Sequence, residues 1–180
     1  ETALRRAAEM YEQAIKLDPT FAPSLAKLGF SYASLWWMYY DRTEKRRDAA
    51  KELAEKALKL QPDSSEAHWA MGTVYYQGYL DYDRALKELT IAQQINPNDS
   101  AIPLLIGSVK RRQGKFEEAA TIMERAVSLD PNNAYNSFTL GATYALLRKY
   151  PEAQKHIDRA LLLAPTGLWY ARKARFALLQ

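Results

Sequence analysis

The sequence predicts an all-α protein, a right-handed superhelical array of antiparallel helix pairs, and three observations carry that prediction. Residues 100–133 repeat their pattern in 134–167 without a gap, and the prolines closing the two stretches, Pro131 and Pro165, lie 34 residues apart. A fixed period of that length is the mark of a stacked helical array. Within each stretch a glycine (Gly107, Gly141) follows an apolar residue, and an alanine (Ala119, Ala153) follows the glycine by twelve positions. Finally, several of the 7 glycines and 8 prolines recur at corresponding places, so they punctuate helices and do not loosen a linker.

Taken in order, Thr2 to Leu17 reads as one helix with Leu4, Ala7, Ala8, Tyr11, Ala14 and Ile15 on one face. Asp18-Pro19 ends it, because proline has no N–H and disfavours helix in the residue before it. The spacing of Ala7, Tyr11, Ala14 and Pro19 matches Ala119, Met123, Ala126 and Pro131, so residues 1–20 read as a half repeat, its second helix only. Residues 21–63 form an extended repeat, with Leu25, Leu28, Gly29 and Tyr32 on the first helix and Ala50, Ala54, Ala57 and Pro62 on the second. Gly29 and Ala50 are 21 positions apart, nine more than in the regular units. The insertion predicts a first helix extended to about Tyr40, then a polar turn with Asp41 or Thr43 as N-cap. Residues 64–99 form the next repeat (Met71, Gly72, Tyr75, Ala85, Leu89, Ala92, Pro97), with one extra residue expected in the turn around Gly78. Repeats 100–133 and 134–167 follow. Residues 168–180 read as a capping or partial-repeat helix, Leu168 to Leu179, with Arg175 in the glycine's place. The whole, 1–180, is expected to be one domain.

This pattern resembles the tetratricopeptide repeat (TPR) family over nearly the whole chain. Gly29, Gly72, Gly107 and Gly141 fill the family's glycine place after Leu28, Met71, Ile106 and Leu140. Tyr32, Tyr75 and Tyr144 fill the tyrosine place, where Lys110 departs from it, and Leu25, His68, Pro103 and Ser137 stand where tryptophan is usual. Glycine at a helix crossing lets two backbones approach, and the facing alanine does the same from the other side. The resemblance implies that first helices line a concave face and that the function is protein–protein interaction.

The residues of those first helices that point away from the core are unusually large. Phe30, Ala33, Trp37 and Tyr40 form a stripe on the extended helix, Trp69, Thr73 and Tyr76 on the next, Leu104, Ser108 and Arg111 after that. Tyr135, Phe138 and Ala142 follow, then Trp169, Arg172 and Phe176. Aromatics and arginine dominate binding hot spots. The expected site is therefore a groove for a peptide or helical segment, lined by Phe30, Trp37, Tyr40, Trp69, Thr73, Tyr76, Leu104, Arg111, Tyr135, Phe138, Trp169 and Arg172. The plain alternative is that the stripe packs against the neighbouring first helix. Relatives that grip chaperone tails use Lys, Asn and Arg where this chain has Ala26, Phe30, Trp69, Thr73, Leu104 and Ser108, so that clamp is absent.

Other chemistries fare worse. With no cysteine there is no disulfide framework and no thiolate zinc site. His68 and His156 lie in different repeats without a nucleophile motif, phosphate loop or metal spacing, so no enzyme activity, cofactor or metal is expected. His68 reads as a packed core residue. The formal charge of +4 is modest. Its clusters, Lys45-Arg46-Arg47, Lys110-Arg111-Arg112 and Arg172-Lys173 with Arg175, fit solvated turns and helix C-termini better than nucleic acid. The longest apolar run, Leu35–Tyr40, is far below the roughly 20 residues of a membrane span.

The chain begins with Glu and reads as a piece of a longer protein. Its extended repeat and the stretch GYLDYDRALKELTIAQQINP resemble TPR regions attached to bacterial adenylate cyclases, protein kinases and winged-helix regulators. The expectation is a regulatory scaffold that binds a protein or peptide, or another segment of its parent chain. A cytoplasmic location is expected, with periplasm or secretion left open. Self-association through end faces at Leu4/Tyr11 and Trp169/Phe176 is the second reading, and phosphate or nucleic-acid binding the third.

Overall fold

Apolar periodicity becomes helix wherever proline or a cap does not stop it. The computed structural model describes residues 1–167, 169, 170, 173 and 174, and among these there is no strand. The backbone falls into two units, Glu1–Pro97 and Asn98–Gln180. The first holds α1 (Thr2–Leu17), α2 (Ala22–Trp37), α3 (Glu44–Leu60), α4 (Ser65–Thr73) and α5 (Tyr82–Ile95). Here α2 packs on α1, α3 and α4, and α4 packs on α5. The second holds α6 (Ala101–Arg112), α7 (Phe116–Leu129), α8 (Ala134–Leu146) and α9 (Tyr150–Leu163), with α8 packed on α6, α7 and α9. In each unit the first helices of consecutive pairs, α2 with α4 and α6 with α8, run side by side.

Helix starts follow local chemistry. Side-chain oxygens of Thr43, Ser64, Asp81 and Asn133 accept from Arg46, Ala67, Arg84 and Tyr135 backbone N–H groups at 3.2, 3.2, 2.9 and 3.0 Å. Each satisfies a donor that the first turn leaves orphaned. Of the two caps expected for α3, Thr43 is the one used.

The second helices bury alanine columns: Ala50, Ala54 and Ala57 on α3, Ala119 and Ala126 around Met123 on α7, Ala153 and Ala160 around Ile157 on α9. The glycine of each pair lies over the first alanine's carbonyl. A Cβ at Gly107 would sit 3.0 Å from the Ala119 oxygen and 2.6 Å from Met123 Cγ; at Gly141, 3.0 Å from the Ala153 oxygen and 2.8 Å from Ile157 Cγ1. Real side chains do not tolerate such distances, so the close crossing requires glycine.

Two expectations are corrected. The extended helix stops at Trp37, short of Tyr40. Tyr39 adopts φ 63°, and the Tyr40 and Asp41 N–H groups both turn back to the Leu35 carbonyl at 3.0 and 3.2 Å. A non-glycine residue in the left-handed region ends the helix as a glycine would. Tyr40 thus leaves the helical stripe for the turn, where its carbonyl accepts from Arg5 Nη2 at 2.8 Å. The extra residue of the next repeat is also not in a turn around Gly78. It is taken up inside the first helix as a π-helical turn, Val74–Gly78, which fits an additional residue without breaking the helix.

Candidate functional site

In the first unit, α2 and α4 bring two aromatic pairs together. Phe30 and Trp69 have ring centroids 4.7 Å apart, and Trp37 and Tyr76 5.2 Å apart, both tilted. Lys27 Nζ lies 5.5 Å from the Trp69 ring and pairs with Glu66 at 2.6 Å. Ser34 Oγ donates to Gln77 Oε1 at 3.3 Å, bridging α2 and the π-turn. Phe30, Trp37 and Trp69 are half-buried, so each keeps an accessible edge. Trp69 also holds a buried indole Nε1 with no hydrogen-bond partner. A buried donor left unpaired costs free energy until an acceptor arrives.

The other expected residues divide by burial. Thr73 is 0% and Tyr76 4% exposed; Thr73 Oγ1 donates to the Trp69 carbonyl at 2.9 Å, and Tyr76 sits between Trp37 and Tyr82. In the second unit Leu104 is 8% and Phe138 3% exposed, with Phe138 stacked on Trp169 at 5.4 Å. These four residues are buried in the packing, as in the plain alternative for the stripe. Arg111 is half-buried and donates to Thr143 Oγ1 at 3.1 Å on α8. Tyr135, at the start of α8, is 59% exposed. Arg172, Arg175 and Phe176 lie outside the described residues.

The two arginines of the insertion's basic cluster are consumed locally. Arg46 stacks 4.0 Å over Tyr32 and bonds Asp41 at 2.8 Å; Arg47 lies 4.9 Å from Tyr79, whose hydroxyl donates to Asp48 at 2.8 Å. Arg42 covers Trp36 and Tyr39 at 4.6 and 4.0 Å, and Arg84 covers Tyr75 at 4.6 Å. The Arg46 hydrogen bond holds the Asp41 carboxyl below its usual range, while burial and then the Glu12 hydrogen bond push the Tyr32 phenol up. Cation–π contacts of this kind tie the nine inserted residues to α2, α3 and the π-turn. The signal was visible as arginines following an aromatic run, but spacing alone did not pair them. In the second cluster, Lys110 pairs with Glu118 at 2.7 Å.

His68 is a packed histidine as expected, its side chain 12% exposed, with Nδ1 2.7 Å from Glu88 Oε2 and Nε2 2.9 Å from the Pro62 carbonyl. Among the described residues no three His, Cys, Asp or Glu side chains gather as a metal site, and no helix is long and apolar enough to cross a membrane.

Helix pairs crossing at glycine over alanine, with first helices side by side, define an all-α solenoid of the kind that serves as a protein–protein interaction scaffold. Sequence models of the tetratricopeptide repeat match residues 110–176 and, in two overlapping stretches, 38–100 and 80–134. The chain belongs to the tetratricopeptide repeat family. It is similar to anaphase-promoting complex subunit 3 of Schizosaccharomyces pombe, 25% identical over 133 residues, which are 74% of this chain and 18% of that protein. It thus spans about a fifth of the length of this curated relative. Among solved structures it is similar to TTC0263, a thermophilic TPR protein of Thermus thermophilus (TM-score 0.82, 21% identity, 98% of this chain and 93% of that one). It is also similar to YrrB, a TPR protein with an unusual peptide-binding site (TM-score 0.62, 24% identity, 97% and 84%).

Proposed function

We propose that the chain binds a peptide or helical segment of a protein partner on the first-helix face of its first unit, around Phe30, Trp37 and Trp69. The observation that carries this is Trp69. Its ring packs on Phe30 and Lys27 of α2 and is only half-buried, so an exposed edge is left for a partner side chain. The peptide-binding site of YrrB supports the same class of ligand. In the second unit Tyr135 and Arg111 are further proposed contacts on its own first helices. The chain spans 18% of its curated relative, which supports a recognition module within a larger protein, serving regulation there or gripping a segment of its own parent.

Selection of phage-displayed peptides on the immobilised chain, with binding re-measured on a Trp37→Ala/Trp69→Ala variant of equal helicity, tests this. Loss of the selected peptides by at least about tenfold is expected, the scale of one hot-spot residue. Undiminished binding would mean that the aromatic pairs only hold α2 to α4.

A further inference from the structure

A hollow of the second unit lies away from the first-helix face, between the end of α7 and one side of α9. It has a volume of about 630 Å³. Val127 and Pro131 bound it on one side; Lys155, Arg159 and Leu162, spaced by four and three along α9, bound it on the other. Such spacing puts the three on one helix face. His156 adds an aromatic wall, its other ring contact being Tyr144 at 5.7 Å.

Comparison of the repeats with one another singles out Leu162. Two residues after the conserved second-helix alanine, the chain has Lys16, Lys59, Gln94 and Ser128, all exposed and polar. The last repeat alone places leucine there, 79% exposed. With Val127 it makes the aliphatic part of the hollow, and the cations beside that patch, not the exposed leucine by itself, point to a ligand.

Charge says what partner. Among the described lining residues the carboxylate is Asp158, which is already held by Lys173 Nζ at 2.6 Å and Gln154 Nε2 at 2.7 Å. Lys155 makes no ion pair among the described residues, and Arg159 donates only to neutral oxygens, the Pro131 carbonyl at 3.1 Å and Asn132 Oδ1 at 3.5 Å. The unit around them is basic as well. Residues 98–180 carry 12 Lys and Arg against 7 Asp and Glu, whereas residues 1–97 carry 13 against 14. The whole positive surplus of the chain therefore lies in the unit that holds the hollow.

We propose that this hollow is a second docking site, for an acidic peptide segment that places an aliphatic residue against Leu162 and Val127 and carboxylates beside Lys155 and Arg159. The site is independent of the aromatic face of the first unit. Its apolar floor supplies affinity and its two cations select the sign of the ligand.

The test uses ¹⁵N-labelled full chain titrated with a synthetic peptide of two leucines flanked on both sides by glutamates, and with its lysine-for-glutamate counterpart. The acidic peptide should shift the amide signals of α7's last turn and of α9, and the basic one should not. Leu162→Ser, which installs the residue of the preceding repeat at an exposed position, should weaken binding about tenfold, the loss for one exposed leucine no longer buried. Lys155→Glu should weaken it further and admit the basic peptide. Equal binding of both peptides, shifts confined to α2 and α4, or no shift at millimolar peptide would each overturn the proposal. So would sedimentation of the chain with phosphatidylserine vesicles that is lost in Leu162→Ser while neither peptide binds, which would assign the patch to a lipid surface.

Discussion

Gly141→Ala tests the feature on which the repeat depends, and its cost can be worked from the crossing itself. The added Cβ would meet Ile157 Cγ1 at 2.8 Å, the Ala153 carbonyl oxygen at 3.0 Å and Ile157 N at 3.1 Å. Ile157 is 1% exposed and β-branched, so it has little rotamer freedom with which to yield. Overpacking of this kind costs about 1–3 kcal/mol. Alanine is better than glycine in a helix interior by about 1 kcal/mol, which leaves a net loss of about 0–2 kcal/mol. Urea unfolding followed by circular dichroism measures it, and a double-mutant cycle identifies the cause. Ile157→Ala alone should cost about 2–5 kcal/mol, because it leaves a cavity. In that background the Cγ1 clash is gone, the helices can yield by the few tenths of an ångström that the carbonyl demands, and Gly141→Ala should become neutral or mildly stabilising. An equal loss in both backgrounds would refute the reasoning, since the glycine would then be making room for backbone alone.

Thr43→Ala removes the side-chain cap of α3 and should lower the free energy of unfolding by about 1 kcal/mol, measured in the same urea titration. Tyr144 is pushed up to about 12 by burial first and by its hydrogen bond to Glu124 second. The folded state therefore holds this proton where the unfolded chain, near 10, releases it. Its contribution to stability is complete below that pH and is lost as pH rises toward 12; in Tyr144→Phe the decline of melting temperature over this range should be shallower. His156 is shifted the other way, held below the usual histidine value by burial and then by Lys155. Stability is full above the ordinary value of 6.5 and falls on acidification, when the unfolded chain takes up a proton that the folded chain resists. His156→Gln should flatten that fall in urea midpoints compared at pH 7.5 and pH 5.

The repeat was legible because it depends on contacts at fixed spacing. Glycine must lie over an alanine carbonyl twelve residues on, so Gly107–Ala119 and Gly141–Ala153 print their geometry into the sequence. α1 likewise runs from Thr2 to Leu17, between a clear apolar face and Asp18-Pro19. The end of α2 was not legible: left-handed Tyr39 has neither glycine nor proline to announce it, and an aromatic residue at positive φ is rare. Nor could periodicity decide whether one extra residue before Ala85 lengthened a turn or formed the π-turn at Val74–Gly78, since both restore the same register. The candidate site was half legible for a related reason. A stripe at every third or fourth position says which side of a first helix carries large residues, but not how much of that side the next first helix covers. Thr73, Tyr76, Leu104 and Phe138 are covered, while Phe30, Trp37 and Trp69 are only half-buried.

That difference indicates where to look for function in a repeat protein. Residues that every repeat shares are spent on stacking, because stacking is what every repeat must do. Residues at which one repeat departs from its own siblings are under no such demand. Trp69 takes the register place of Phe30's helix neighbour with a donor that the fold does not satisfy, and Leu162 replaces a polar residue that four other second helices retain. Neither is spent on stacking alone: the Trp69 indole N–H finds no partner in the fold, and Leu162 buries little apolar surface. Two such departures, one in an aromatic cluster and one in an aliphatic patch beside two cations, fit two ligands of different chemistry on one scaffold. Since neither departure carries the array, a variant with Trp69→Phe and Leu162→Ser should stay folded, with a urea midpoint close to the parent's, while losing both proposed binding activities.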